Sequence, residues 1–274
     1  MLDLFAVAQS NASAVELAFA ELIAPKDEAA ARAEEFAQWI KANSLISINV
    51  KLWVVGDLVN NRPLLNAYEL AEERARLTGL NSEELLRELL GVYYEKRTTF
   101  DRTFQGGEKL RYGALFMGGA GLTEYAPYCL VLSQQFQESL ASAACVTGDS
   151  LKKCVGDDEK VDHDALVRNT APFTHRHLLA ATERAAILGT ANRSAWVELV
   201  SGIDRYFEII FIGDITLQAI SSVSVLKKEY DRMVTLLLDS FGKKLDTAER
   251  ALAHDFHVLL RGESEGKLRI EIVT

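Results

Sequence analysis

An α+β fold is what this chain predicts: a helical N-terminal region followed by a mixed, mainly antiparallel sheet domain with packed helices. Three observations lead there. Residues 10 to 42 are rich in Ala and Glu with apolar residues at helical spacing, β-prone runs recur from Phe104 onward, and the two kinds of segment do not alternate in strict βαβ order. The last point argues against a doubly wound parallel sheet. The division expected is a mainly helical region over 1–100 and an α+β domain over 101–274.

In the N-terminal part, Val15, Leu17, Phe19 and Leu22 precede Pro25 and Asp27, which mark a break and a new helix start. Ala33, Phe36, Ala37 and Ile40 continue the pattern. Ser44 to Val55 (SLISINVKLWVV) reads as a strand, turned by Gly56-Asp57, and Asn60-Asn61-Arg62-Pro63 is loop chemistry. Helices are expected at Leu64–Thr78 and Ser82–Tyr94, the second behind a capping signal at Asn81-Ser82-Glu83-Glu84.

Beyond Phe104, the segment through Met117 and Gly118-Gly119-Ala120-Gly121 reads as strand and turns, and Tyr128 to Leu132 as the next strand. Residues 145 to 170 are polar and loop-like. Thr174–Leu188 is a helix, and Ser194–Val200 a short one. Strands follow at Tyr206–Ile212, Ser221–Leu226 and Lys267–Val273, with one long helical stretch at roughly Lys228–His257 between the last two. No internal repeat occurs.

Composition narrows the classes. Hydrophobic content of 49% and charged content of 25% are ordinary for a globular chain. A net charge of −9 argues against general affinity for a nucleic-acid backbone or an anionic membrane. Cys129, Cys145 and Cys154 form no Cys-x-x-Cys pair, so free thiols in a reducing compartment are expected. Met1–Ala8 carries Asp3 and no basic flank, unlike a secretory leader. No apolar stretch has the length of a membrane span, and cytoplasmic residence is the expectation.

Few motifs carry chemistry by themselves. There is no GxxxxGKS loop, no GxGxxG opening a helix and no GxSxG elbow. Gly118–Gly121 fits a tight turn beside a sheet edge or, less simply, a phosphate cradle. His175/His177 and His254/His257 lack a Glu-bearing HExxH arrangement, so they read as helix-surface histidines and no metal is expected. Lys96 to Phe104 (KRTTFDRTF) could hold a phosphate through its cations, or be a solvated stretch anchored by Phe100 and Phe104.

Glu208 stands out. It lies within Arg205-Tyr206-Phe207-Glu208-Ile209-Ile210-Phe211-Ile212, where a carboxylate is costly to desolvate unless a cation, a donor or a cleft receives it. Alternation offers a second reading, with Tyr206, Glu208 and Ile210 on one partly wetted face.

Three pieces taken together resemble the bacterial toxin- and effector-like mono-ADP-ribosyltransferases. They are Arg111-Tyr112-Gly113-Ala114-Leu115 running toward Glu124–Leu132, then Val146-Thr147-Gly148-Asp149-Ser150, and finally Tyr206-Phe207-Glu208-Ile209-Ile210. The similarity spans roughly residues 108 to 226. It implies NAD as substrate, Glu208 as the catalytic carboxylate, Arg111 as dinucleotide anchor, Tyr112 as a stacking group, and Thr147 and Ser150 as supports. Arg97 and Arg102 are alternative anchors. It also implies a macromolecular acceptor, protein or nucleic acid, and room for a neutralising protein partner. The chain departs from the family pattern in lacking a Ser-Thr-Ser triplet. Tyr206 stands where arginine-modifying members have Glu or Gln, which disfavours arginine as acceptor. The alternatives from other classes are a non-catalytic protein-binding module, and a hydrolase or nuclease using Glu208 with His175, His177 or Asp149.

Overall fold

The computed structural model describes residues 1–274 and is α+β, with helices at its N-terminus. In chain order the elements are α1 (Leu4–Ser10), α2 (Ala12–Ile23), α3 (Glu28–Asn43), β1 (Leu45–Val50), α4 (Leu52–Val59), α5 (Ala67–Thr78), α6 (Ser82–Leu90) and α7 (Tyr94–Thr103). Then come β2 (Arg111–Phe116), β3 (Tyr128–Leu132), α8 (Gln134–Ser139), β4 (Ala143–Val146), α9 (Ser150–Cys154), α10 (His163–Asn169), β5 (Thr170–Pro172), α11 (Arg176–Leu188) and α12 (Trp196–Ser201). The chain closes with β6 (Glu208–Phe211), β7 (Ile220–Leu226), α13 (Lys227–Asp239), α14 (Thr247–Ser264) and β8 (Ile270–Val273).

Two compact units divide the chain, and neither coincides with 1–100 or 101–274. The first comprises Met1–Ser44, Leu65–Leu115 and Leu140–Gly213; the second Leu45–Leu64, Phe116–Ser139 and Asp214–Thr274. Strands of the first run in the order β5-β4-β6-β2, every pair antiparallel. Those of the second run β1-β3-β7-β8, where only β7/β8 is parallel.

In the first unit local signals set the helix ends. Asp27 caps α3 by accepting from the Ala30 amide at 2.8 Å. Asn66 and Glu69 form a capping box on α5, and Gly79 ends that helix in the left-handed region at φ 74°. Phe36 and Trp39 of α3 meet Trp196 of α12 at ring-centroid distances of 5.2 and 5.5 Å. A second core gathers Leu4, Phe100, Phe104, Leu110, Leu151 and Ile210, and its sheet face carries the candidate site.

The second unit corrects three expectations. The strand expected over Ser44–Val55 stops at Val50, and Gly56 lies inside α4 rather than in a turn. Leu52, Val55, Leu58 and Val59 are buried at helical spacing, so packing of that stripe overrides the β-propensity of Trp53, Val54 and Val55. The single helix expected over Lys228–His257 is two, separated by Ser240–Asp246, where Asp246 and Glu249 form a fresh capping box for α14. Gly118–Gly121 is a turn: Asn49 of β1 donates to the carbonyls of Ala120 and Ala126 and accepts from the Leu122 amide at 2.8 Å. Gly121 sits at φ 64°, where a Cβ would fall 2.4 Å from Asn49 Oδ1 and 2.6 Å from Cys129 Sγ. No helix is long and apolar enough to cross a membrane.

Candidate functional site

Pairing within the first unit decides which side chains can meet. Glu208 opens β6 opposite Ala114 of β2 and Val146 of β4, while Ile210 faces Tyr112. Cross-strand partners share a face and the side chains alternate along a strand. Glu208, Ile210, Tyr112 and Val146 therefore lie on one face. Arg111, paired with Phe211, lies on the other.

Glu208 is 6% exposed, so the partly wetted face considered from the alternation does not describe it. Two helices supply its partners. Asp149 caps α9 by accepting from the Leu151 and Lys152 amides, which leaves the Ser150 amide free to donate to Glu208 Oε2 at 3.0 Å. Arg97 of α7 brings Nη2 to 3.8 Å from Glu208 Oε1, and its guanidinium lies 3.7 Å from the Tyr112 ring centroid. One turn further along α7, Asp101 is 1% exposed and accepts from the hydroxyls of Tyr112 and, at 3.0 Å, Tyr68 of α5.

The electrostatics follow from burial. Desolvation raises the pKa of Glu208, against the opposing pull of Arg97 and the Ser150 hydrogen bond. Desolvation likewise pushes Asp101 up to about 6, although Arg97 and both tyrosines oppose it. Tyr112 is driven well above the ordinary phenol range, first by burial. Burial works against the charge of Arg97, but Tyr112, Glu208 and Asp101 outweigh it and hold the guanidinium protonated. One polar atom beside Glu208 remains under-satisfied, the buried Arg97 Nη1, while the Ser150 hydroxyl lies against the Glu208 carboxylate and helps the Ser150 amide hold it.

Beside this cluster a cavity of about 320 Å³ is lined by Thr147, Gly148, Asp149, Lys152, Lys153 and Tyr206, among others. Asp149 and Tyr206 face it, while Ser150 and Glu208 stand just behind them in the chain. The volume lies at the lower end of the small-molecule range and suits half a dinucleotide better than a whole one.

Of the residues selected from sequence, Glu208, Tyr112 and Ser150 come together. Thr147 lines the cavity but donates its hydroxyl to Asn169 Oδ1 at 2.6 Å. Arg111 does not join them: Nε donates to the Gly213 carbonyl at 2.6 Å and Nη2 to Glu69 at 3.0 Å. The guanidinium at Glu208 is Arg97, one of the two alternatives, whereas Arg102 pairs with the exposed Glu83 at 2.8 Å. Asp101 and Tyr68 were not singled out. Reading KRTTFDRTF as a helix would have shown Tyr94, Arg97, Asp101 and Phe104 on one face.

Of the residues named for the hydrolase alternative, Asp149 stays beside Glu208 and acts on its charge. His175 engages Glu16 at 2.9 Å, and no group of three or more His, Cys, Asp or Glu is arranged to hold a metal ion. The three cysteines are buried and unpaired, their thiols pushed up to about 12 by burial. No protein-family model and no curated protein matches the sequence.

Proposed function

We propose that the chain transfers ADP-ribose from NAD, with Glu208 as the catalytic carboxylate, Arg97 rather than Arg111 as the nearby guanidinium, and Ser150 and Tyr112 as positioning groups. The observation that carries this reading is the under-satisfied guanidinium at Glu208. An unpaired buried polar atom costs about 1–3 kcal/mol, so Arg97 Nη1 beside a raised-pKa carboxylate is expensive to keep unless a substrate meets it. Fold resemblance alone would carry less weight.

The chemistry suits a carboxylate. As the nicotinamide–ribose bond breaks, its electron pair leaves with the neutral nicotinamide and positive charge develops at the ribose carbon. A carboxylate against the ribose 2′-hydroxyl stabilises that charge more in the transition state than in the bound substrate. Tyr112 holds the Arg97 guanidinium by stacking, and Arg97 Nη1 offers its N–H groups to the ligand. Entry from the cavity at Thr147 and Gly148 requires the Ser150 end of α9, a helix of 5 residues, to move aside. The macromolecular acceptor comes from the resemblance alone, and the cytoplasmic setting from the free thiols and composition of the sequence.

The test is nicotinamide release from NAD, measured for the wild type and for Glu208→Gln after both are shown to be folded. The reading expects release by the wild type and at least a hundredfold loss in the variant. Equal rates in the two proteins, or no release by the wild type with any acceptor, would refute it.

A further inference from the structure

The second unit carries a separate cavity that the proposed transferase chemistry does not use. It has a volume of about 390 Å³ and lies between α4 and α14. Trp53, Gly56 and Asp57 stand at i, i+3 and i+4 on one face of α4, with its C-cap Asn60 beyond them, and Asp255 and Val258 face them from α14. Trp53 is 40% exposed.

We propose that this cavity binds a ligand bearing a guanidinium or alkylammonium head, with the cation against Asp255 and Asp57 and its carbon chain on the Trp53 indole. Four observations support that chemistry. Asp255 makes no hydrogen bond or ion pair, although it is partly desolvated. The carboxylate of Asp57 stands close enough to work against the charge on Asp255, so a cation between them relieves both. An indole face attracts cations through its quadrupole. The floor is open because residue 56 is glycine: a Cβ there would reach 3.8 Å from Asp255 Oδ1 and 4.0 Å from Val258 Cγ1, filling space rather than clashing.

The cations already present leave this charge unmet. Arg62 reaches Asp57 at 3.4 Å with a side chain 72% exposed, an arrangement an incoming head group can displace. Arg261 is turned to Asn60 Oδ1 at 2.9 Å. His254 adjoins Asp255 and lowers its pKa, but less than burial raises it. Asp255 is thus the charge a ligand would complete.

A free amine and the side chain of a peptide share this head group, so two probes separate them. Agmatine and N-acetyl-arginine amide are titrated into the full chain by calorimetry, with tryptophan fluorescence followed in parallel. 4-Guanidinobutyrate, with the same guanidinium on an anionic chain, serves as the control. The proposal expects saturable binding of at least one cationic probe and weaker binding of the control. Binding of agmatine alone indicates a free amine, and binding of the capped arginine alone a side chain. Asp255→Asn should weaken affinity about tenfold or more. Gly56→Ala should weaken it as well while leaving the thermal midpoint at or above the wild-type value, since alanine favours a helix interior. No saturable binding of either cationic probe, or affinity unchanged in both variants, would overturn the proposal.

Discussion

Replacing Asp101 by Asn should remove a pH dependence that the fold builds into this one buried carboxyl. Asp101 is 1% exposed and its pKa stands at about 6 against an ordinary 3.8. That difference corresponds to about 3 kcal/mol. The folded chain holds the Asp101 proton more tightly than the unfolded chain does. Its stabilising contribution is therefore complete below pH 3.8 and lost as pH rises through about 6. Asparagine imitates the protonated form: it accepts from one tyrosine hydroxyl and can donate to the other. Urea unfolding of the wild type and Asp101→Asn, at steps from pH 8 to pH 4.5, isolates this group because all others cancel in the difference. The variant should be as stable as the wild type or more so at pH 8. On acidification the wild type should gain about 2 kcal/mol relative to it. A stability difference that stays flat, or that moves the other way, would show that Asp101 is ionised in the fold at little cost and that the network is misread.

Three further outcomes follow from the same geometry. Glu208→Gln keeps an oxygen for the Ser150 amide and removes a carboxylate whose ionised form burial disfavours, so urea unfolding at neutral pH should show the variant folded and about as stable as the wild type or more so; a clear loss would contradict it. NAD cleavage should fall on acidification through a midpoint above the ordinary carboxylate range, because Glu208 must be ionised to act and burial raises its pKa; a rate independent of pH through that range would contradict it. Gly121→Ala should destabilise the second unit by about 2–4 kcal/mol, read as a lower urea midpoint, since φ 64° and contacts of 2.4 and 2.6 Å leave no room for a methyl group.

How far the sequence could be read depended on what each segment's own residues determine. Tyr128–Leu132 was legible as a strand because it is short, β-branched or aromatic, and buried on both faces. Leu52–Val59 was not, because its apolar residues fit both periods and only the surrounding packing chooses helix. The odd position of Glu208 could be seen in a single line of residues. Its cation could not: which of Arg97, Arg102 and Arg111 meets it depends on cross-strand register and on α7 packing over the sheet. Tyr112, one position from Arg111, falls on the correct face for the same reason that Arg111 does not. The start of α6 shows the opposite case: Asn81 was legible as its cap and accepts from the Glu83 and Glu84 amides.

The account turns on Arg97, not Arg111, sharing a reacting site with Glu208, and steady-state NAD cleavage by Arg97→Lys and Arg111→Lys tests that most directly. Lysine keeps the charge but loses the planar stacking on Tyr112 and the second N–H group. With rates expressed per folded molecule, kcat/KM should fall about tenfold or more in Arg97→Lys and stay within about twofold of wild type in Arg111→Lys. The opposite ranking, or two variants equally active, would contradict it.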